Sequence, residues 1–255
     1  MRVVVLGRSG SFPRAGEACS GYLVEAEDRV LLVDCGHGVV SRLLQRLDVY
    51  RLGGLILTHM HPDHVADVPA LRLALEWSCF PPEPWQGRLA TLAPQEAADY
   101  LTQVTRGPQA LRVFDLKPIQ PHVTYELCGF RVRFVRAQHP VETYAVRIED
   151  AEGALAYTAD TAYDEAVAEL ARGADLLLAE CTFPDDLEDR AREVGHLTPR
   201  GVGRLAASAG VRCCVLTHLF PTLDPEAAVQ GARVHFPHVV CATELRAYEV
   251  GGRNA

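Results

Sequence analysis

The chain has 255 residues, a formal net charge of −8 and a hydrophobic content of 48%. This composition is typical of a folded globular protein and excludes a wholly disordered chain. No apolar run approaches the roughly 20 residues of a membrane helix, and the short apolar start lacks the pattern of a signal peptide. We therefore expect a cytoplasmic protein without a membrane partner, folded as one domain over residues 1–255.

The charge balance and the cysteines narrow the class of protein further. Asp and Glu number 33 against 25 Lys and Arg, so no bulk positive field attracts nucleic acid or anionic lipid. The eight cysteines are scattered and include no C-x-x-C pair. In a chain with no expected secretion signal, this pattern indicates reduced, mostly buried thiols instead of a disulfide framework.

The first half of the chain alternates short apolar strands with helices. Apolar runs predict strands over 2–6, 21–26, 30–34, 54–58 and 89–92. Helical spacing predicts helices over 39–47, 65–76 and 94–104, and Pro62 suits a first helical turn. The proline-rich segment 77–85 is predicted as a loop that forms either a pocket rim or a dimer contact.

The second half is first rich in strands and then alternates again. Alternating or apolar runs predict strands over 130–137, 144–148, 154–157, 175–180, 212–217, 239–241 and 245–250. Helices are predicted over 164–171, 199–209 and 225–236, with Thr198 as an N-cap. Residues 185–189, which are mostly acidic, are predicted as a loop.

A weak internal repeat indicates how these elements are arranged. One apolar strand ends in Thr58-His59 and another ends in Thr217-His218. The repeat predicts two β/α halves that face each other as a sheet-on-sheet sandwich with helices outside. Functional groups are then expected on loops at one edge, where the strands end.

The segment from His59 to His64 carries the strongest chemical signal. Its sequence, His-Met-His-Pro-Asp-His, places three imidazoles and a carboxylate just after a buried strand. Imidazoles are costly to bury together unless their nitrogens are satisfied, and a divalent cation satisfies them. His139, Asp160 and His218 each follow a predicted strand, and this shared position makes them candidates for the remaining ligands.

This ordered set resembles the metallo-β-lactamase-fold hydrolase superfamily over nearly the whole chain. The resemblance implies an α+β fold, a four-layer αββα sandwich of two mixed sheets with helices outside, and a site for two divalent ions. It implies a first ion on His59, His61 and His139, a second on Asp63, His64 and His218, and Asp160 as the bridge. It also implies that Asp34 orients a ligand histidine from outside the metal shell.

The same resemblance implies hydrolytic chemistry. Two cations would polarise a phosphoryl or ester oxygen and turn a bridging water into hydroxide at neutral pH. Five histidines and two carboxylates suit Zn²⁺, with Mn²⁺ or Fe²⁺ as alternatives. Asp63 is expected to be catalytic as well as a ligand. His196, in Gly-His-Leu-Thr-Pro, resembles a histidine of the superfamily's phosphodiesterase branch that protonates the leaving oxygen.

Five residues are expected to border the substrate. Ser9 and Ser11 lie in a loop after the first strand that resembles a loop bordering the site in the phosphodiesterase branch, whereas Glu142 and Thr143 follow His139 and Thr198 follows His196. The tRNA 3′-processing members carry a long arm between the third ligand region and the bridging aspartate, and the 21 positions from His139 to Asp160 leave no room for one. We therefore expect a small phosphodiester, such as a 3′,5′-cyclic nucleotide, as the substrate.

Three other functions stay open at this point. They are a ribonuclease Z-like endonuclease acting on tRNA, a glyoxalase II-like thioester or lactone hydrolase, and a non-catalytic metal-binding protein. A nucleic-acid substrate is disfavoured by the acidic segment 185–189, which would repel a phosphate backbone. A homodimer is an alternative to a monomer, because superfamily relatives are often dimers.

Overall fold

Two seven-stranded β-sheets dominate the computed structural model, which describes residues 1–77 and 87–252. The first sheet has the strand order β14-β1-β2-β3-β4-β5-β6 and the second the order β13-β12-β11-β10-β9-β8-β7. The strands are β1 Arg2–Gly7, β2 Gly21–Ala26, β3 Arg29–Val33, β4 Gly54–Ile56, β5 Leu89–Ala93, β6 Phe114–Pro118, β7 Thr124–Leu127, β8 Phe130–Arg136, β9 Tyr144–Glu149, β10 Ala154–Tyr157, β11 Leu176–Glu180, β12 Cys213–Thr217, β13 Val239–Cys241 and β14 Ala247–Glu249.

The two sheets share one pairing pattern. From β14 to β6, three antiparallel pairs are followed by three parallel pairs. From β7 to β13 the same succession occurs. Both sheets are therefore mixed, and the two facing halves predicted from the repeated Thr-His strand ends are confirmed.

Helices cover the outer face of each sheet. They are α1 Val39–Leu44, α2 Pro62–Val65, α3 Val68–Trp77, α4 Ala97–Val104, α5 Glu165–Ala171, α6 Glu188–Val194, α7 Pro199–Ala209 and α8 Pro225–Arg233. Buried side chains of α1, α3 and α4 pack in one cluster with the first sheet, and those of α5, α7 and α8 pack with the second. A third cluster, which includes Val5, Leu31, Phe134 and Val146, fills the space between the sheets. The expected αββα sandwich is confirmed.

Most predicted elements occur within a few residues of their expected bounds, and the exceptions are informative. The helix expected over 65–76 is two helices, α2 and α3. Strands β6 and β7 were not expected, because both are half-exposed edge strands without a continuous or alternating apolar pattern. Trp77 ends α3, whereas residues 78–86, most of the predicted loop, lie outside the described residues.

The acidic segment is helical, which corrects its prediction as a loop. A short 3₁₀ turn covers Asp185–Leu187 and α6 follows directly. Acidic residues are favourable in a first helical turn, where the backbone N–H groups are unpaired. Pairs three residues apart add to this effect, as between Asp189 and Arg192 at 2.7 Å.

The cysteines of the described residues agree with the prediction of free thiols, most of them buried. The seven cysteines in this part of the chain are free, and four of them are buried. None of the described helices is both long enough and apolar enough to cross a membrane.

The fold places the ends of several parallel strands at one edge of the sandwich. Asp34 follows β3, Ala159-Asp160 follow β10, and His218 follows β12. Asp34, Ala159 and His218 have positive φ angles of 58°, 50° and 51°. Such backbone is strained for residues other than glycine and persists where the surroundings enforce it. The strain therefore coincides with the edge at which the predicted site residues lie.

Candidate metal centre

All seven predicted ligands meet at this edge. One ligand atom from each of His59, His61, His139 and Asp160 lies within 4.8 Å of the others. The ligand atoms of Asp63, His64 and His218 form a second group, of three, that lies within the same distance. Residues up to 155 positions apart, such as Asp63 and His218, are thus neighbours, with 3.0 Å between Oδ2 and Nε2.

The carboxylate of Asp160 lies between the two groups. Its Oδ2 is 3.6 Å from His59 Nε2 and 4.0 Å from His139 Nε2. Its Oδ1 is 3.3 Å from His64 Nε2 and 3.4 Å from His218 Nε2. Each oxygen thus faces one group of histidines, which is the placement that a bridging carboxylate requires.

Several buried atoms in the two groups have no hydrogen-bond partner among the described residues. They are His59 Nε2, His64 Nε2 and Asp160 Oδ1. Buried polar atoms without partners are rare and destabilising in folded proteins. A divalent cation accepts electron pairs from these same atoms, so the residues fit such an ion.

The short segment around α2 explains how one stretch of chain serves both groups. His59 follows β4, and Pro62 occupies the first position of α2, where its missing N–H is tolerated. The backbone N–H of His64 donates to the His61 carbonyl at 2.9 Å. This single turn separates His59 and His61, which join one group, from Asp63 and His64, which join the other.

The ring nitrogens that point away from the centre are each held by a neighbour. His64 Nδ1 lies 2.8 Å from Asp34 Oδ2, and His139 Nδ1 lies 2.9 Å from the Gly195 carbonyl. His218 Nδ1 lies 2.8 Å from the Thr182 hydroxyl. These contacts keep the proton of each ring on Nδ1. Nε2 is then free to donate its electron pair to a cation.

Asp34 is the most connected of these outer residues. Its buried carboxylate accepts hydrogen bonds from the Thr58 backbone N–H at 2.8 Å and from the Tyr157 hydroxyl at 3.2 Å. Because the Thr58 hydroxyl also donates to Asp34, it is left to accept from His59 Nδ1, 3.1 Å away. Asp34 thus holds His64 directly and His59 through Thr58, which is the position expected from the sequence.

The protonation states that the surroundings favour are mostly those of metal ligands. Burial lowers the pKa of His59, His61 and His139, which keeps these imidazoles neutral. Burial raises the pKa of Asp160, but His218, His64 and His59 outweigh it and the pKa is lowered. His64 differs, because Asp160, Asp34 and Asp63 raise its pKa against the effect of burial. Neutral imidazoles and ionised carboxylates are the forms that bind cations.

His196 lies beside both groups and is paired with a residue that the sequence analysis did not single out. Its Nδ1 is 2.9 Å from Glu180 Oε1. Burial lowers the pKa of His196. The charge and the hydrogen bond of Glu180 outweigh burial, so the pKa rises above its usual value to about 9. Glu180 ends the apolar strand β11. Its place at a strand exit, like that of Asp160 or His218, is the signal that could have identified it.

Two glycines permit the close packing of this region. Gly195 ends α6 with a φ of 78°, and a Cβ there would lie 2.8 Å from the Gln138 carbonyl oxygen and His139 Cα. A Cβ on Gly10 would lie 2.5 Å from His218 Nδ1. Backbone must approach both histidines at these points, so a larger residue would displace them.

The five residues expected to border the substrate divide into two kinds. The backbone N–H of Ser11 donates to Asp63 Oδ2 at 2.7 Å, and Thr198 caps α7 beside His196. The other three are engaged in local loop contacts and do not reach the histidines through any described contact. Ser9 donates to Glu17, Thr143 to the Val141 carbonyl, and Glu142 accepts from Tyr144.

Two mixed sheets between helices, with histidines and aspartates converging at the strand ends, define the class of αββα metallo-hydrolases. The sequence profile of the Beta-lactamase superfamily domain matches residues 29–219. The chain belongs to this family and is a metallo-hydrolase of the beta-lactamase superfamily.

Known proteins resemble the chain over almost its full length. It is 35% identical over 224 residues to the probable metallo-hydrolase YhfI of Bacillus subtilis, covering 86% of this chain and 87% of YhfI. The YhfI crystal structure superposes with a TM-score of 0.86 at 31% identity, covering 97% and 98%. A Ribonuclease Z of Methanosarcina acetivorans is 26% identical over 308 residues, covering 98% of both chains. A diphosphatase of the PhnP family, at 18% identity and a TM-score of 0.76 over 98% of both chains, shares the fold.

Proposed function

We propose that this protein is a binuclear metal-dependent phosphodiesterase that hydrolyses small phosphodiesters such as 3′,5′-cyclic nucleotides. The observation that carries the proposal is the position of Asp160, with one carboxylate oxygen towards each histidine group. A single carboxylate so placed can be shared by two cations. His196, held by Glu180 beside both groups, supplies the acid that phosphodiester cleavage needs.

The residues have defined tasks in this proposal. One ion is held by His59, His61 and His139, the other by Asp63, His64 and His218, and both by Asp160. The donors suit Zn²⁺, with Mn²⁺ or Fe²⁺ as alternatives. When bound, two such ions polarise the phosphoryl oxygens and lower the pKa of water towards neutrality.

His196 acts on the leaving group. The Glu180 carboxylate raises the pKa of His196 and stabilises the charged imidazolium, which favours the form that donates a proton. Glu180 also accepts from the Thr161 backbone N–H at 2.9 Å and from the Thr182 hydroxyl at 2.7 Å. These bonds fix the Glu180 carboxylate. The carboxylate in turn orients the His196 imidazole and restricts that ring to one face of the site.

The fold also supports a small substrate. Strands β9 and β10 occupy half of the chain between His139 and Asp160 and pair with each other in the second sheet. No extended arm of the kind expected for tRNA-processing members is inserted in this described interval. The exposed acidic start of α6 opposes a long phosphate backbone. The names of two relatives, a Ribonuclease Z and a diphosphatase, support chemistry at phosphorus.

A second candidate is tRNA 3′-end processing. It is favoured by the Ribonuclease Z relative, which aligns over 98% of both chains. Its weakness is the lack of space for a tRNA-binding arm in the interval before Asp160. Thioester or lactone hydrolysis is less well supported, because the names of the Ribonuclease Z and diphosphatase relatives indicate chemistry at phosphorus. A thioester would also not use His196, because a thiolate leaves without a proton.

A substrate panel tests the proposal. The purified protein is incubated with bis(p-nitrophenyl) phosphate, a 3′,5′-cyclic nucleotide, a pre-tRNA and a thioester, with and without added Zn²⁺ or Mn²⁺. We expect metal-dependent cleavage of the first two. Cleavage of the thioester alone would contradict the proposal, and preferential cleavage of the pre-tRNA would select the second candidate.

A further inference from the structure

We propose that a cavity between α6 and α7 binds a neutral planar heteroaromatic ring of the substrate, such as a nucleobase. The cavity has a volume of about 320 Å³, and Tyr163, Arg192, His196 and Arg204 are among its lining residues. This volume is within the range of small-ligand sites, roughly 300–1,000 Å³. The inference rests on the proposed phosphodiesterase function and names the part of its substrate that lies outside the metal centre.

The position of His196 connects the cavity with the reaction. The imidazole lines the cavity, and its ring centroid lies 5.0 Å from that of His139 and 5.8 Å from that of His218. The residue proposed to protonate the leaving oxygen thus contacts both the metal centre and the cavity. The group attached to that oxygen is therefore the part of the substrate nearest the cavity.

The charges of the lining favour a neutral ligand. Arg204 forms an ion pair with Glu188, and Arg192 pairs with Asp189 at 2.7 Å. A second phosphate would be repelled by the Glu188 carboxylate, which itself lines the cavity and balances the charge of Arg204. A paired guanidinium still presents a flat face on which an aromatic ring can stack.

The other lining residues favour a flat ligand. Tyr163 is half-buried, and its hydroxyl donates to Glu165 Oε1 at 3.0 Å, which restrains the phenol ring. Ala191 and Leu197 add buried apolar surface. A tyrosine ring, two flat guanidinium groups and an apolar wall form a surface for stacking, an interaction that tolerates any base.

Binding of free nucleosides tests the inference independently of catalysis. Saturation-transfer NMR and titration of the metal-loaded protein with adenosine, guanosine, cytidine or uridine measure binding without a phosphate group. Ribose and pyrophosphate are the comparison ligands. We expect at least one nucleoside to bind and Tyr163→Ala to weaken it at least fivefold, since base stacking on an aromatic side chain contributes about 1–3 kcal/mol. Tyr163→Phe keeps the ring and should bind within about twofold of the unmodified protein.

Other outcomes overturn the inference. Failure of all four nucleosides to bind, or equal binding by Tyr163→Ala, would remove the ring site. Competition by pyrophosphate for nucleoside binding to the metal-free protein, in which no cation can hold the phosphates, would make the cavity an anion site. If Tyr163→Ala does not fold, Arg192→Ala replaces it, because this side chain is 73% exposed; roughly two- to fivefold weaker binding is expected from a lost surface cation–π contact. Hydrolysis of bis(p-nitrophenyl) phosphate by the unmodified protein is measured separately, so a failure of the phosphodiesterase proposal is distinguishable from a failure of the ring site.

Discussion

The two halves of the molecule contribute to the candidate metal centre in different ways. The first sheet contributes four of the seven proposed ligands from one six-residue segment, His59 to His64, around the single turn of α2. The second sheet contributes three ligands, and each follows a different strand or loop: His139, Asp160 and His218. A local segment can thus supply half of the ligands of a binuclear site, but the site is complete only when the tertiary structure brings the other ligands to that segment.

The comparison also extends to the residues that hold the ligands. In the first half, a carboxylate, Asp34, holds the outer nitrogen of His64. In the second half, a hydroxyl, that of Thr182, holds the outer nitrogen of His218, and Glu180 in turn accepts from this hydroxyl. Glu180 also holds His196, so the second half links ligand orientation to the proposed acid.

The bridging residue should show the largest effect. Replacing Asp160 by alanine removes the carboxylate that faces both histidine groups, so we expect hydrolysis to fall to background and bound metal to decrease. His59→Ala should likewise abolish turnover while affecting mainly the first group. Metal content by plasma mass spectrometry and initial rates on bis(p-nitrophenyl) phosphate measure both effects. Asp164→Ala, which removes only the cap of α5, is the control; full activity in metal-depleted His59→Ala protein would contradict the binuclear site.

The proposed acid should give the next largest effect. His196→Ala should lower kcat by about 10²–10⁴-fold, the usual contribution of a general acid, with no change in bound metal. Glu180→Gln should cause a smaller loss, because the amide can still accept a hydrogen bond but cannot balance the imidazolium charge. Rates on a 3′,5′-cyclic nucleotide, whose leaving oxygen needs a proton, and metal content are measured on the same samples. Loss of metal together with activity in His196→Ala would make His196 a ligand.

Variants of the two outer residues compare the halves directly. Asp34→Ala and Thr182→Val each remove the partner of one outer histidine nitrogen, at His64 and His218 respectively. We expect each to weaken metal affinity by about 10–100-fold, as is typical when such partners are lost. Competition with a chromophoric chelator measures the affinity. Unchanged affinity in either variant would show that the corresponding histidine does not need its partner.

The smallest expected effects are on stability and concern glycines. Gly195 and Gly173 both have positive φ angles, of 78° and 62°, but only Gly195 has close neighbours where a Cβ would lie. Gly173→Ala should therefore destabilise the fold by about 1–2 kcal/mol, the strain of this backbone conformation alone. Gly195→Ala should cost more and also displace His139. Urea unfolding of the metal-free variants measures the free energy of unfolding of each. Equal destabilisation by the two substitutions would exclude a role for the close contact between Gly195 and its neighbours.

The sequence predicted the candidate site better than it predicted some of the elements around it. The segment from His59 to His64 is recognisable because its donors are adjacent in the chain. His139, Asp160 and His218 were recognised by their place after apolar strands, and the structure brings all three to the centre. Glu180 has the same place but was read only as the end of a strand, since a single carboxylate there has no distinctive neighbour in the sequence.

The residues expected to border the substrate rest on weaker signals and stay a prediction. Thr143 is close to His139 in the chain and Ser9 lies in the loop after β1, and both are buried and hydrogen-bonded within their loops. Whether a hydroxyl faces a cavity depends on side-chain rotation and on neighbours from other segments. Neither can be predicted from proximity in the chain. The edge strands β6 and β7 escaped prediction because half-exposed strands lack a strong apolar pattern.

The sequence by itself determined most of the strands and helices and the type of donor atoms, because apolar periodicity and adjacent histidines are local properties, and its resemblance to a known superfamily implied the class of chemistry. Only the tertiary structure decided that Asp160 faces both histidine groups, that Glu180 holds His196, and that a cavity lies beside them. These features depend on distances between residues far apart in the chain, and such distances exist only once the two sheets have packed against each other.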